Sequence, residues 1–387
     1  MITGLKISRF RGIAECEIAG LKDINILVGR NNQGKSSILE AIYLATAALS
    51  DTNPLAMEKD KVDYLLNRRC DRKLVWENGK QILWRGYDTR QPIEIEMQYG
   101  EHKEAQESQK RKNRLKIGFD ARFRNPFVVI PRTALPETTL EPIFGRRSGR
   151  PSDSLRLDLK SSVLFYGEMG TSIGLDMAYQ LLGDAIPDSS QIVAYMKGIM
   201  LLDANLMHDM EKVERALWPE LLKERWDRIV TEVLREGYQI GIEDLTYMPV
   251  GNVFQLAAKL SKTTIRVDDL GDGARYSMIW MMVASIAKNT AILIEEPESH
   301  QHPGGLVRSL EALLGLAKRN NIQIFVTTHS LEFIRFVEKI TEERKLGMST
   351  FFIEMDDKGR IESRTITSED SQYLTKMGLD LRFLDVV

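Results

Sequence analysis

Apolar and polar positions along this chain follow two rhythms, and each change of rhythm marks an element. Leu5–Phe10 alternates with a period of two, Arg11-Gly12 interrupts it, and Ala14–Ile18 alternates again, which predicts an antiparallel hairpin. A continuous apolar run, Ile24-Asn25-Ile26-Leu27-Val28, predicts a buried strand; it leads into the glycine-bounded loop Gly29–Ser36 and an amphipathic helix from Ser37 to Leu49. Alternation returns over Trp76–Trp84, Ile93–Tyr99 and Leu115–Phe123, so a β-rich segment is expected there, with the polar run Glu101–Arg114 as an exposed hairpin tip or loop. Helical spacing takes over in Asp203–Leu217 and Glu220–Glu236. From Tyr247 onward the pattern predicts strands at Val253–Leu260 and Thr263–Val267, an apolar helix at Ala274–Ala287, and a buried strand at Ala291–Ile294. A helix at Leu306–Lys318, a second buried strand at Ile322–Val326, a helix at Leu331–Arg344 and a hairpin (Thr350–Glu354 with Arg360–Ile366) follow.

Buried strands that alternate with helices predict a parallel sheet, and a hairpin ahead of the glycine loop predicts a mixed one. The fold class expected is α/β, with an N-terminal lobe and β-rich subdomain over residues 1–160, an inserted helical subdomain over 161–250 and a C-terminal lobe over 251–387.

Composition narrows the class further. The chain has 387 residues, 43% hydrophobic and 28% charged, as in ordinary soluble globular proteins. A formal net charge of -2 provides no global basic field for nucleic acid, although a basic patch on one face is compatible with it. Lys110-Arg111-Lys112-Asn113-Arg114 and Arg146-Arg147 with Arg150 are read first as solvated loops, with phosphate-backbone contact as the alternative. Cys16 and Cys70 are the only cysteines, which excludes a disulfide framework or a cysteine-rich zinc site and fits a reducing, cytoplasmic setting. The N-terminus lacks a basic-then-apolar signal layout. No apolar run reaches the roughly 20 residues that span a bilayer, so no membrane partner is expected.

The loop carries the chemistry. Gly29-Arg30-Asn31-Asn32-Gln33-Gly34-Lys35-Ser36 fits G-x-x-x-x-G-K-[ST], a phosphate-binding loop between strand and helix. Gly29 and Gly34 open backbone angles closed to other residues, and the loop amides and helix N-terminus, with Ser37 in its first turn, then face an anion. Lys35 reaches the β and γ phosphates, and the Ser36 hydroxyl takes a Mg2+ position. In the second half, the buried strand at Ile292-Leu293-Ile294 ends in Glu295-Glu296, where one carboxylate can hold Mg2+ and the next can polarise an attacking water. Ile324-Phe325-Val326 ends in Thr327-Thr328-His329-Ser330, which places a histidine at a neighbouring strand end. Leu270-Gly271-Asp272-Gly273-Ala274 offers glycine-exposed amides ahead of a helix.

The order of these motifs resembles the ABC-type ATPases, and more narrowly the SMC, RecF and OLD group. Phe10-Arg11-Gly12 ahead of a G-x-N-x-x-G-K-S loop, Glu295-Glu296-Pro297-Glu298 with His302-Pro303 behind it, and Leu-Gly-Asp-Gly at 270–273 carry the resemblance. It implies an ABC-type head binding ATP and Mg2+, with Gly29–Ser36 on the triphosphate, Glu295 as the metal acid, Glu296 as the catalytic glutamate and His329 as the switch histidine. Gly271, Asp272 and Gly273 would cap the γ-phosphate of a partner subunit, and Arg11 would contact the nucleotide. Glu295 stands where the group usually has Asp, and Gly271 where transporters have serine. The residues after Arg344 are expected to form a hairpin and tail rather than the Toprim nuclease of OLD proteins. The resemblance therefore implies an ATPase that forms a homodimer or higher even oligomer around shared nucleotide, acting in DNA repair or antiviral defence with a separate effector protein and a possible DNA contact. The alternative is a nucleotide-gated scaffold that holds a toxin or nuclease without touching nucleic acid.

Overall fold

The computed structural model describes residues 1–50, 52–55, 60–70, 73–100, 114–131, 155–158, 162–166, 189–208, 210–299, 301–367 and 370. The basic run 110–113, the arginines at 146, 147 and 150, and the tail from 371 lie outside the described residues.

The expected hairpin is β1 (Ile2–Phe10) and β2 (Ile13–Ala19), and the apolar run is β3 (Ile24–Val28), buried along its whole length. Side chains on a strand alternate between faces. Ile24, Ile26 and Val28 accordingly enter one core, while Leu27 joins the other together with Ile38, Leu39 and Ile42 of helix α1 (Lys35–Thr46). The strands β13 (Thr290–Glu295) and β14 (Ile322–Thr327) split the same way, which explains why their sequences read as unbroken apolar runs.

One thirteen-stranded mixed sheet runs through the described residues in the order β7-β8-β6-β5-β4-β1-β2-β16-β15-β3-β14-β13-β9. Strands β4 (Ile93–Tyr99), β5 (Arg114–Phe119), β6 (Phe127–Pro131), β7 (Leu155–Asp158) and β8 (Ser162–Tyr166) continue it edgewise from β1, so the β-rich segment is contiguous with the sheet of the glycine loop. The C-terminal hairpin β15 (Met348–Met355) and β16 (Arg360–Ile366) wedges between β3 and β2.

The parallel block β3-β14-β13-β9 positions the site. In register, Leu27 faces Thr327, Thr327 faces Glu295, and Ile294 faces Leu202 of the short strand β9 (Met200–Leu202). Four strand ends therefore finish at one level, the edge where ligands bind open α/β sheets.

Two readings change. Trp76–Trp84 does not form a strand: Trp76–Gly79 is a helical turn and Lys80–Leu83 a 3-10 turn. The apolar positions there are satisfied by stacking, with Trp76 and Trp84 on Phe119 at centroid distances of 5.4 and 5.0 Å. The segment expected to be helical also contributes β8 and β9 to the main sheet and all of β10 (Ile242–Val250), which pairs with β11 (Val253–Leu260) in a separate three-stranded sheet.

Candidate functional site

Gly34 ends the loop in the left-handed region (φ 85) and N-caps α1 without a side-chain cap, and no acidic residue occupies the first turn. The first amides of α1 thus remain available to an anion. Gly29 (φ 150) lies so close to β15 that a Cβ would come within 2.4 Å of the Ile353 carbonyl oxygen. The Met355 amide donates to Gln33 Oε1, fastening the loop to the same strand.

Lys35 is buried, 6% exposed, and its ammonium donates to the Gly29 and Arg30 carbonyls at 2.8 and 2.7 Å. Burial lowers its pKa to about 8, with nearby Glu296 opposing the shift. The loop therefore holds a partly desolvated cation across its mouth, an arrangement that favours an incoming polyanion.

The loop opens onto a cleft of about 540 Å³. One wall comes from residues 31–37 and Arg11, and the other from Glu295, Glu296 and His329. The sequence separated these groups by more than half the chain, and the four aligned strand ends bring them together. Glu296 adopts a left-handed φ of 41, and its carboxylate lies 3.4 Å from His329 Nε2. Such backbone strain costs on the order of 1–3 kcal/mol and persists where surrounding structure imposes it. Glu298 supplies part of that structure. Its Oε1 accepts from the Thr328 hydroxyl at 2.6 Å and from the His329 amide at 3.0 Å.

Glu295 divides its two oxygens. Oε2 pairs with Arg68, while Oε1 is buried without a hydrogen-bond partner. Glu295 lines the cleft together with Ser36, and a carboxylate with one oxygen lacking a hydrogen-bond partner fits a divalent cation, which Mg2+-nucleotide sites hold through one or two protein oxygens plus phosphates.

Arg11 lines the cleft, but its guanidinium is occupied: Nε pairs with buried Glu40 and Nη2 donates to the Leu65 carbonyl at 2.7 Å. Gly271, Asp272 and Gly273 do not line this cleft; Gly271 caps a separate helix (Asp272–Ile286) whose start is exposed at Gly271 and Asp272.

The sequence reading missed Glu40, Arg68, Arg69 and Asp203. Arg68 and Arg69 line the cleft behind helix α2 (Lys61–Asn67), and Asp203 follows β9. Met200-Leu201-Leu202-Asp203 has the same layout as Ile292-Leu293-Ile294-Glu295, an apolar strand ending in an acid, which was the available signal.

A strand, phosphate-type loop and helix, closed by an acid pair and a histidine on adjoining parallel strands, define a nucleotide-phosphate class of site. The family model for the AAA ATPase domain matches residues 1–134 and 210–334, and the chain belongs to that family. An ATP/GTP phosphatase of Helicobacter pylori is 21% identical over 391 residues, covering 96% of this chain and 97% of that protein. An uncharacterized protein of Methanocaldococcus jannaschii is 30% identical over 113 residues, 29% of this chain and 99% of that protein. Among solved structures, an Smc head domain with an extended coiled coil, bound to the C-terminal domain of ScpA from Pyrococcus furiosus, is 14% identical with a TM-score of 0.49, covering 97% of this chain and 98% of that one. No helix among the described residues is long and apolar enough to cross a membrane.

Proposed function

We propose that this protein binds ATP with Mg2+ in the cleft and hydrolyses it, and that two copies close head to head around the nucleotide. The observation that carries this reading is that Lys35, Ser36, Glu295, Glu296 and His329 all line one cleft. Ser36 and Glu295 would hold Mg2+, which would supply neutralisation of the charge that develops on the phosphates. The chain's own groups do the rest. The amides of α1 and the Lys35 ammonium bind the β and γ phosphates. Glu296 holds the attacking water and accepts its proton, and His329 orients the Glu296 carboxylate and the γ-phosphate.

Pairing of two copies is supported by Gly271–Gly273, an exposed helix start away from its own cleft that would reach the γ-phosphate held by a second copy. The relative named an ATP/GTP phosphatase supports nucleotide hydrolysis. The motif resemblance to the SMC, RecF and OLD group supports a DNA-linked or antiviral role with a separate effector.

The test is phosphate release from Mg-ATP alongside light scattering. Wild type is expected to release phosphate and to dimerise transiently. Glu296→Gln is expected to lose about 10²–10⁴ in rate while a stable ATP-bound dimer accumulates. A Glu296→Gln protein that hydrolyses at the wild-type rate would remove this reading of the site.

A further inference from the structure

Arg68 sits 6% exposed at the back of the cleft and meets three carboxylates from three different elements. Its Nη1 donates to Glu40 on α1 at 2.6 Å, its Nε pairs with Asp203 at the end of β9 at 2.9 Å, and its Nη2 pairs with Glu295 at the end of β13. Each acid is fixed in its own right. Asp203 accepts from the Tyr64 hydroxyl at 2.5 Å and from the Leu206 amide at 2.9 Å. Glu40 is fully buried and also pairs with Arg11 and Arg69. Three carboxylates and three guanidiniums thus form one cluster that balances in charge, with Arg68 as the member that touches all three acids.

We propose that Arg68 is a positioning residue for the metal carboxylate: by engaging Glu295 Oε2 it fixes the carboxylate at the cleft and leaves Oε1 without a hydrogen-bond partner of its own. This rests on the reading of the cleft as a Mg-nucleotide site. The planar fork suits the task, since three nitrogens in one plane reach three acceptors at set angles. An ammonium in the same place keeps the charge but not the fork. Outer partners that orient a metal ligand commonly affect metal affinity by about 10- to 100-fold. The cluster also joins the helix of the glycine loop to the two strands that carry the acids.

The test conserves charge and removes geometry. Full-length wild type and Arg68→Lys are titrated with Mn2+ in the presence of ATP, with free Mn2+ followed by electron paramagnetic resonance, and ATP binding is measured separately in EDTA. The expected result for Arg68→Lys is Mn2+ affinity weakened by about tenfold or more, a loss larger than any change in metal-free ATP binding. Wild-type Mn2+ affinity in Arg68→Lys would overturn the proposal. If Arg68→Lys does not fold, Asp203→Ala, which loosens one anchor of Arg68 and leaves its pair with Glu295, is expected to shift Mn2+ affinity in the same direction; an unchanged affinity there is also contrary. Failure of wild type to bind Mn2+ and ATP together would instead refute the nucleotide-site reading itself.

Discussion

Glu298 Oε1 bridges the Thr328 hydroxyl and the His329 amide, at 2.6 and 3.0 Å, and so ties the loop after β13 to the loop after β14. The two loops carry Glu296 and His329, which face each other at 3.4 Å. Glu298→Ala removes the tie and leaves a buried hydroxyl and amide to find other partners. The expected cost is about 1–3 kcal/mol of stability, with turnover lower by as much as 10²-fold through misplacement of Glu296 and His329, the pair proposed to act on water. ATP affinity, set by the glycine loop, should change little. Chemical denaturation, steady-state turnover and a binding isotherm check the three parts.

The site was legible where its chemistry is local. Gly29–Ser36 announces itself through glycine spacing and the flanking strand and helix, and Glu295-Glu296 and Thr328-His329 through the apolar runs before them. Arg68 and Asp203 were not, because their meaning depends on β9 pairing with β13 across about ninety residues of chain, as the Leu202–Ile294 register shows. A strand of three residues leaves too short a pattern to distinguish from the helices around it. Trp76–Trp84 misled for a related reason: its apolar positions mark contact with Phe119, which lies on a distant strand, rather than a strand of their own.

Nucleotide binding should depend on pH through Lys35. Burial lowers its pKa from 10.5 to about 8, with Glu296 opposing. Between those values the unfolded chain binds more protons than the folded one, so the contribution of this residue to stability rises with pH across that window and is flat below it. Phosphate binding runs the other way, because it requires the ammonium form. Proton uptake on ATP binding should be near zero at pH 7 and approach about one proton at pH 9, with weaker affinity at the higher pH. Calorimetric titration in buffers of different protonation enthalpy measures this; equal uptake at both pH values would contradict it.

The two loop glycines should differ in sensitivity. At Gly29 a Cβ would strike the Ile353 carbonyl oxygen at 2.4 Å, a backbone atom with little room to yield. At Gly34 it would meet Ile361 Cδ1 at 2.8 Å, the end of a flexible side chain, although φ is 85. Gly34→Ala should cost about 1–2 kcal/mol from its left-handed backbone, and Gly29→Ala more. Denaturation midpoints of the two variants test the order, and the reverse order would show that the loop is not braced on β15.

Lys35 crosses the loop mouth on the Gly29 and Arg30 carbonyls, and the proposed phosphate site requires it to leave them. The most direct measurement is an ATP-binding isotherm with Mg2+ for wild type and Lys35→Ala side by side. Saturable binding by wild type and none by a folded Lys35→Ala is the predicted result; equal affinity in the two proteins would contradict the assignment of this cleft to the nucleotide.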